Sequence, residues 1–490
     1  MRLSERTLTQ LPPEVARPGY DRRAVRPGIV HLGIGAFHRA HQAVYTEALL
    51  ARGDPRWGIV GASLRSPATR DALAPQDGLY AGRVRDTDGA SVRVVGAVLD
   101  LLVAPDNPEA LVARIADPAT RLVTLTVTEK GYCHDPAPGH LDGGRPDVRH
   151  DLEHPAGPRT AIGFVVAGLE RRRRAGLPPL TVLSCDNLPS NGRTLRRIVL
   201  DFADAKGDPD LRRWIEAEVA FPSSMVDRIV PATTDDDRRD VAGLLGGVED
   251  AWPVVTEPFR QWVVEDRFAG ERPAWEEDGA TFVASVEPFE HMKLRLLNGA
   301  HSAIAYLSVA AGVETVSDAM ALPGMRGFLR ALWAESGETL DLPAGYDLAG
   351  YVGALERRFE NTALRHRTGQ IAMDGSQKLP QRLLEPIRER LAAGRPVPIL
   401  AAAVAAWMRH VRGTGEDGAP IPLDDPLADE LHRAAGGAGN GAAALVRSLA
   451  LVEAVFSSDL GRDPRFVEAV KRALAVLDEQ GTRGFLARFA

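Results

Sequence analysis

The first half of the chain alternates between short apolar, β-branched runs and longer segments with helical periodicity. This alternation is typical of a parallel sheet whose strands are joined by crossover helices. Two later apolar runs, at 259–266 and 281–286, predict further strands. The four runs that predict the main sheet are GIVHLGIG (28–35), WGIVGASL (57–64), RLVTLTVT (121–128) and LTVLSCDN (180–187).

Beyond residue 287 the strand patterns stop, and apolar residues recur at the spacing of amphipathic helices. A chain of 490 residues is too long for one hydrophobic core. The sequence therefore predicts an α/β domain over residues 1–285 and an all-α domain over 286–490. Within the second domain, the glycine-rich stretch 436–444 predicts a flexible loop between two helices.

Composition narrows the functional classes. The net charge of −7 gives no sign of a surface for nucleic acid. The dense basic cluster 171–174 follows a helical pattern, where cations suit the helix C-terminus. With two cysteines and no Cys-x-x-Cys pair, neither a disulfide framework nor a thiolate zinc site is expected. The sequence shows no signal-peptide core and no long apolar span, so we expect a cytoplasmic protein without a membrane partner.

The first predicted strand ends in HLGIGAFHRAHQ. Gly33 and Gly35 lie where this strand turns into a helix, and glycines there let the backbone approach a pyrophosphate at the helix N-terminus. The third glycine of the dinucleotide fingerprint is replaced by His38. A tight turn without a ligand is the alternative. His38 and His41 are spaced as a metal pair, but no third ligand suggests itself, and we expect them to pack locally near the cofactor.

After the second strand, an acidic residue would normally bind the ribose hydroxyls of NAD. Arg65 stands there instead, and the next carboxylate is Asp71. An arginine at this position suits a 2′-phosphate, so NADP remains an alternative to NAD. A solvated loop arginine is the other interpretation.

The stretch EHMKLRLLNGAHSA (290–303) places Glu290, Lys293, Asn298 and His301 among leucines. A uniform α-helix turns about 100° per residue, which puts the four polar groups within a sector of about 140°. Burying such groups costs about several kcal/mol unless they have partners. Because of this cost, a purely structural helix would rarely gather these four residue types among apolar neighbours. If this face opens into a cleft, a desolvated lysine can act as a base and an amide can hold a developing oxyanion. A solvated helix face with an ordinary Glu–Lys pair is the alternative.

Polar residues also follow several predicted strands, where open α/β sheets bind their ligands. Asp186, Asn187 and Asn191 come after the fourth strand; turn chemistry is the alternative explanation, and Asn187 is the strongest functional candidate of the three. Glu129 and Lys130 end the third. Asp227 and Arg228 are expected in a loop or short element between proline-bounded turns.

Together these segments resemble the mannitol dehydrogenase family of polyol and uronate dehydrogenases. The resemblance runs in order from residue 28 to about 385 and rests on the stretches GIVHLGIGAFHRAHQAVY, TVTEKGY, SCDNLPSNG, FPSSMVDRIVPATT, EPFRQWVVEDRF, KLRLLNGAHSAIAYL and RFENTALRHRTGQIAMDGSQKLPQRLL. It implies a Rossmann-type N-terminal domain, a helical C-terminal domain and metal-independent hydride transfer at a secondary alcohol, with NAD as cofactor.

The resemblance also implies roles for individual residues. Lys293 would be the general acid/base, Asn298 and Asn187 would hold the reacting oxygen, His301 would orient the substrate, and Glu290 would gate proton exchange with solvent. The expected cofactor-binding residues are Gly33, Gly35, Ala36, Phe37, Arg65, Glu129 and Asp227, and the expected substrate-binding residues are Lys130, Arg365, His366 and Lys378. Arg65 departs from the acidic residue usual in mannitol dehydrogenases, which weakens the expectation of NAD.

The segment ALRHRTGQIAMDGSQKLPQR is rich in cations and looks more like fructuronate reductases than mannitol dehydrogenases proper. Guanidinium and carboxylate pair bidentately, so its cations Arg365, His366, Arg367, Lys378 and Arg382 suit an acidic sugar. Solvent-facing cations, or ion pairs with Glu360 and Glu385, are the alternative. Gly369 replaces an expected tryptophan, which would widen the pocket.

The sequence thus predicts interconversion of D-mannonate and D-fructuronate by a monomer or small homo-oligomer. The first alternative is a polyol dehydrogenase acting on mannitol or arabinitol. A second, from another functional class, is a dinucleotide-binding sensor without catalysis, which would not need the complete Glu-Lys-Asn-His face.

Overall fold

The computed structural model of the chain describes residues 1–87, 89–135, 139–437 and 441–490. These residues form two compact units, Met1–Glu287 and Pro288–Ala490.

The first unit is an α/β domain built on a five-stranded parallel sheet with the order β5-β2-β1-β6-β7. The predicted α/β fold with a mostly parallel sheet is confirmed. The strands of the unit are β1 (Ile29–Leu32), β2 (Ile59–Ser63), β3 (Tyr80–Asp86), β4 (Gly89–Val95), β5 (Val98–Val103), β6 (Leu122–Leu125), β7 (Thr181–Ser184), β8 (Ser224–Asp227), β9 (Val254–Thr256), β10 (Gln261–Glu265) and β11 (Thr281–Val283).

The central strand β1 explains why the sheet is covered on both faces. All four of its residues are buried. Val30 and Leu32 belong to one hydrophobic core, while Ile29 belongs to the core on the other face. Because successive strand side chains point to opposite faces, a continuous apolar run is what a doubly covered parallel sheet requires. The helices of this unit are α1 (Ala36–Ala40), α2 (Gln42–Ala51), α3 (Ala68–Leu73), α4 (Pro108–Ile115), α5 (Pro146–Glu153), α6 (Ala161–Arg174), α7 (Asn191–Ala205), α8 (Pro209–Glu218) and α9 (Asp235–Leu244).

In the described part of this unit, two small sheets accompany the large one. In the first, β10 pairs with β11 in parallel and with β8 in antiparallel register. In the second, β3 pairs with β4 in antiparallel and with β9 in parallel register. Asp227, which we expected in a loop or a short element, is therefore the last residue of a short buried strand.

The basic cluster 171–174 lies in the last turn of α6. Arg172 is buried there and donates to the carbonyl groups of Asp117 and Pro178, while Arg171 pairs with Glu109. The cluster thus closes the end of a helix, as the sequence pattern indicates.

The second unit is helical throughout its described residues, apart from isolated β-bridges, which confirms the predicted all-α domain. Helices α11 and α18 are apolar over most of their surface and form its centre. The helices are α10 (Glu287–Met292), which starts at the end of the first unit, α11 (Gly299–Ala310), α12 (Val316–Met320), α13 (Met325–Gly337), α14 (Leu348–Glu360), α15 (Thr368–Ala372), α16 (Gly375–Leu379), α17 (Glu385–Ala392), α18 (Pro398–Val411), α19 (Ala428–Gly436), α20 (Ala442–Leu449), α21 (Glu453–Gly461) and α22 (Pro464–Leu486).

The loop predicted at 436–444 is shorter than expected, since α19 extends to Gly436 and α20 already begins at Ala442. Its middle, residues 438–440, lies outside the described residues.

Among its described residues, two π-helical segments interrupt the second unit. The first, Lys293–Asn298, joins α10 to α11, and the second, Pro380–Leu384, joins α16 to α17. The sequence pattern predicts a uniform α-helix across 290–303, and that prediction is wrong in the middle of the stretch. The π-helix is rare, and it is found frequently at functional sites.

Candidate active site

The glycine turn after β1 is fixed by steric and conformational demands. Gly33 has a φ of +91°, and a Cβ at this position would lie 2.2 Å from the carbonyl oxygen of Thr126. No other residue meets both conditions without strain. Gly35 has an ordinary φ of −85°, and the nearest atom to a Cβ there would be the Gly33 oxygen at 3.8 Å.

Hydrogen bonds beneath the turn hold it in place. The Thr126 hydroxyl donates to the Gly33 carbonyl at 2.8 Å. The buried ring of His31 lies between two threonine hydroxyls, with Nδ1 2.7 Å from Thr124 Oγ1 and Nε2 2.8 Å from Thr126 Oγ1. His38, at the third fingerprint position, stacks on His31 with 3.4 Å between ring centroids. As expected, His38 packs locally; it lies under the turn.

The turn suits a pyrophosphate. Gly35 is exposed, and the space that a side chain would fill there is open. The first turn of α1, which includes Ala36 and Phe37, presents amide groups that have no partner within the helix. Backbone donors next to an open glycine fit a phosphate group of a dinucleotide.

The helix after the turn is shorter than the sequence predicts. The pattern AFHRAHQAVYTEALLARG reads as one helix, but α1 ends at Ala40 and α2 begins at Gln42. At the break, Arg228 donates to the Ala40 carbonyl and His41 Nε2 donates to the Gln261 carbonyl at 2.9 Å. Long-range side-chain contacts therefore replace the helical hydrogen bonds at this point.

These buried histidines predict a loss of stability in mild acid. Burial lowers the pKa of His31 and of His41 to about 3, against an unfolded value near ~6.5. Between these values the unfolded chain binds more protons than the folded one, so the free energy of unfolding falls as pH falls below ~6.5. We expect each histidine to remove about 2 kcal/mol between pH 6.5 and 5, measured from urea unfolding midpoints.

The variant His31→Gln should reduce this pH dependence, since one of the buried histidines that titrate in this range is gone. The matched control is His432→Gln, which replaces an exposed histidine of α19 and should leave the dependence as in the wild type. An unchanged dependence in His31→Gln would contradict the assignment.

At the tip of β2 the structure separates two arginines. Arg70 pairs with Asp71 and with Asp106, so its charge is compensated. Arg65 is exposed and makes no ion pair within the described residues. The carboxylate nearest in sequence to the tip is thus already engaged, and Arg65 remains available to a ligand.

The ends of β6 and β7 are tied together by a buried carboxylate. Asp186 accepts hydrogen bonds from the backbone of Val127 and Thr128 and from the hydroxyl of Tyr132. Burial raises the pKa of Asp186. Asn191 bridges the Asp186 and Ser224 carbonyls, which is a structural role. These bonds fix the strand ends from which Asn187 projects.

The remaining predicted residues of the first unit differ in exposure. Asn187 is exposed, directly after the anchored Asp186. Glu129 and Lys130 are exposed in a short 3₁₀ turn over Glu129–Tyr132. Asp227 is buried at the end of β8, close enough to His41 to influence its charge.

In the second unit, the π segment changes the geometry of the polar face. Its i→i+5 hydrogen bonding stacks residue i+5 above residue i, much as an α-helix stacks residue i+4. Asn298 is five residues after Lys293, so the π segment aligns these two more closely than the uniform helix predicts. Lys293 is only 8% exposed, whereas Glu290 and Asn298 are half-buried.

His301 continues this face one turn into α11. Its ring packs on Phe359, with centroids 4.6 Å apart, and meets the edge of His366 at 5.1 Å. Burial, and after it the nearby charges of His366, Arg358 and Arg382, lowers the pKa of His301 well below its usual range. His301 is therefore a neutral imidazole at physiological pH, suited to hydrogen bonding.

Side chains from elsewhere in the unit support the π segment. Trp333 Nε1 donates to the Leu296 carbonyl at 3.0 Å. Arg382, in the second π segment, donates through Nη1 to the Asn298 carbonyl at 3.4 Å. Arg295 pairs through both guanidinium ends with Glu389, at 2.7 Å each. Backbone oxygens of the π segment are thus satisfied by long side chains.

Models of known protein families match both units. The mannitol dehydrogenase Rossmann domain matches residues 27–277, and the mannitol dehydrogenase C-terminal domain matches residues 285–478. The chain belongs to the mannitol dehydrogenase family. As a member it is a polyol or sugar-acid dehydrogenase that acts on CH–OH groups, in a family that uses NAD(P).

This mannitol dehydrogenase family member is similar to the following three proteins, among others. D-mannonate oxidoreductase of Escherichia coli K12 is 45% identical over 96% of this chain and 97% of its own. The structure of Pseudomonas fluorescens mannitol 2-dehydrogenase in ternary complex with NAD and D-mannitol is 40% identical, with a TM-score of 0.81 over 100% of this chain and 99% of that chain. A substrate-free D-sorbitol dehydrogenase is 34% identical, with a TM-score of 0.93 over 99% and 100%.

In this family member the predicted substrate cations occupy different environments. Arg365 is exposed and has a φ of +45°. Lys378 donates to the Met373 carbonyl at 2.5 Å and lies 3.9 Å from Asp374. His366 contacts His301. Of the residues predicted to bind substrate in the second unit, His366 is the one that the structure brings against the polar face.

Sequence reasoning missed the π segment and its supports. The pattern around Trp333 predicts an ordinary helix, and Arg382 is predicted only as one of several cations. The sequence carries no local signal for a π segment, because the groups that stabilise it lie 37 and 84 residues away.

The described residues offer neither a metal centre nor a membrane span. They contain no group of three or more His, Cys, Asp or Glu residues arranged to hold a metal ion. Within the same described ranges, no helix has the length and apolar character needed to cross a bilayer.

Proposed function

We propose that this enzyme interconverts D-mannonate and D-fructuronate with NAD. The observation that carries the proposal is the 45% identity to D-mannonate oxidoreductase over 96% of the chain. The cation-rich segment 365–382 of the second unit supports it, since an acidic sugar needs a cationic partner.

We assign the proton transfer to Lys293. In the oxidation, the substrate hydroxyl gives its proton to the Lys293 amine, and in the reduction the ammonium returns it to the ketone oxygen. A lysine that is largely withdrawn from solvent is suited to this exchange, because desolvation favours its neutral amine form. Glu290, three residues earlier and half-buried, would pass the proton to solvent.

The oxygen that changes between alcohol and ketone would be held by the amides of Asn298 and Asn187. Donors fixed in advance stabilise the negative charge that develops on this oxygen. Neutral His301 would orient a neighbouring substrate hydroxyl, with His366 packed against it.

The cofactor would be held by the glycine turn of Gly33 and Gly35, by the first turn of α1 with Ala36 and Phe37, and by Arg65, Glu129 and Asp227. When bound, the nicotinamide supplies the hydride acceptor of the oxidation and the donor of the reduction. Arg65 would lie near the ribose. An arginine at this position favours NAD over NADP less strongly than an acidic residue would.

A panel of reductions tests the proposal. D-fructuronate, D-fructose and other ketoses are offered with NADH and with NADPH, and the absorbance of the reduced cofactor is followed. We expect the highest kcat/KM with D-fructuronate and NADH, because the carboxylate adds a charge-assisted contact.

A preference for D-fructose would instead support a mannitol-type polyol dehydrogenase, for which the 40% identity to the mannitol 2-dehydrogenase structure is the specific observation. A preference for NADPH would reverse the cofactor assignment at Arg65.

A further inference from the structure

We propose that Arg382 binds the carboxylate of a sugar-acid substrate. One edge of its guanidinium contacts Asn298 and Ser302, and the other edge, which has no partner in the described part of the protein, would donate to the carboxylate. This inference rests on the proposed function, in which the substrate is an acid, and it names the residue that distinguishes the acid from a neutral ketose.

The contacts of Arg382 use one side of its guanidinium. Nη1 donates to the Asn298 carbonyl at 3.4 Å and to the Ser302 hydroxyl at 3.1 Å. Nε and Nη2 have no hydrogen-bond partner among the described residues, and the residue is largely buried but still partly exposed. Nε and Nη2 form the fork with which arginine binds a carboxylate bidentately.

The charge of Arg382 is also uncompensated. No carboxylate of the described chain forms an ion pair with it, and the neighbours that act on its pKa include no acidic residue; burial lowers that pKa. Other arginines of the unit behave differently, because Arg295 pairs with Glu389 and Arg390 with Glu338. A desolvated cation without a counterion is costly, and a ligand carboxylate would remove that cost.

The position of Arg382 links it to the proposed catalytic face. It contacts the backbone of Asn298, whose amide is assigned to the reacting oxygen. Its charge also acts on His301, which is assigned to substrate orientation. The backbones of the two π segments also lie close together, since a Cβ at Gly299 would be 3.2 Å from the Arg382 carbonyl oxygen.

The other cations of the segment are less suited to the role. Arg365 and Arg367 are exposed. The Lys378 ammonium is occupied by carbonyl groups of Ile371 and Met373 and lies near Asp374. Arg382 thus combines a free donor fork with contact to the helix that carries Lys293 and Asn298.

The test compares kcat/KM for D-fructuronate and for D-fructose, which has a hydroxymethyl group in place of the carboxylate. With Arg382→Gln we expect kcat/KM for D-fructuronate to fall about 10- to 100-fold more than that for D-fructose, as loss of a charged hydrogen bond predicts. The loss should lie mainly in KM, because the carboxylate is bound equally before and during reaction.

Two further variants keep the test decisive. Arg382→Lys preserves the charge but not the fork, so we expect it to show a preference between those of the wild type and the glutamine variant. It also keeps the proposal testable if the glutamine variant folds poorly. Arg330→Gln, an exposed arginine of α13 paired with Glu356, is the matched control and should keep the wild-type ratio. Thermal unfolding of each variant monitors folding.

Each outcome bears on a different proposal. If both substrates lose activity in parallel, or the ratio does not change, Arg382 only supports the π segment and the inference is overturned. If the wild type reduces neutral ketoses but not D-fructuronate, the proposed substrate fails, and the role of Arg382 fails with it. If the wild type prefers D-fructuronate and only the variant ratio is unmoved, the proposed function stands without this residue.

Discussion

Lys293→Ala is expected to lower kcat by about 10²- to 10⁴-fold, the usual contribution of a general acid/base. The reason is that no other amine is assigned near the reacting oxygen, so the proton would have to pass to water. Nucleotide binding should change little, because the glycine turn that we assign to it lies in the other unit. Steady-state kinetics with D-fructuronate and NADH, together with NADH affinity from fluorescence, measure both effects.

The control for this variant is Lys471→Ala, which removes a half-exposed lysine from α22. It should retain wild-type turnover. Turnover of Lys293→Ala within about threefold of the wild type at neutral pH would remove Lys293 from the proton path. A loss of NADH binding equal to the loss of turnover would point to general damage rather than to proton transfer.

Gly33→Ala is expected to destabilise the first unit by about 3–5 kcal/mol and to weaken NADH binding strongly. Two costs add: the positive φ of an alanine, and displacement of the Thr126 carbonyl oxygen, which lies 2.2 Å from the new Cβ. The shift in the urea midpoint and the NADH dissociation constant measure the two consequences.

Gly53→Ala separates these costs. Gly53 has a φ of +94°, nearly the same as Gly33, but nothing lies within 4 Å of the point that a Cβ would occupy there. It should lose only about 1–2 kcal/mol, the conformational cost alone. Equal effects of the two variants would show that the approach of Thr126 to the glycine turn does not matter.

The sequence predicts the sheet well where strands are buried on both faces. Runs such as those around Val30 and Val123 are uniformly apolar, because helices cover both sides. The strands β3 and β4 were missed, since their half-exposed residues mix charge and glycine, and β5 was missed because Asp100 interrupts its apolar run at the edge of the sheet. Edge strands depend on their neighbours more than on their own pattern.

The candidate site was predictable as a set of residue types but not in its backbone. The spacing of Lys293, Asn298 and His301 is visible in the sequence, and their roles remain predictions. The π turn that aligns the first two depends on Trp333 and Arg382, which are remote in sequence. The break at His41 likewise depends on Arg228, which takes the Ala40 carbonyl from 188 residues away.

The π segment has a consequence for anyone who wishes to transplant this chemistry. The fourteen residues from 290 to 303 cannot be moved to another protein on their own. A lone helix with this sequence would relax to ordinary α geometry and lose the alignment of Lys293 with Asn298. A graft would also have to include Trp333 and Arg382, whose side chains hydrogen-bond to carbonyl groups of the π segment. The smallest unit that carries the proposed proton-transfer geometry is therefore the helical bundle, and not the motif by which it is recognised.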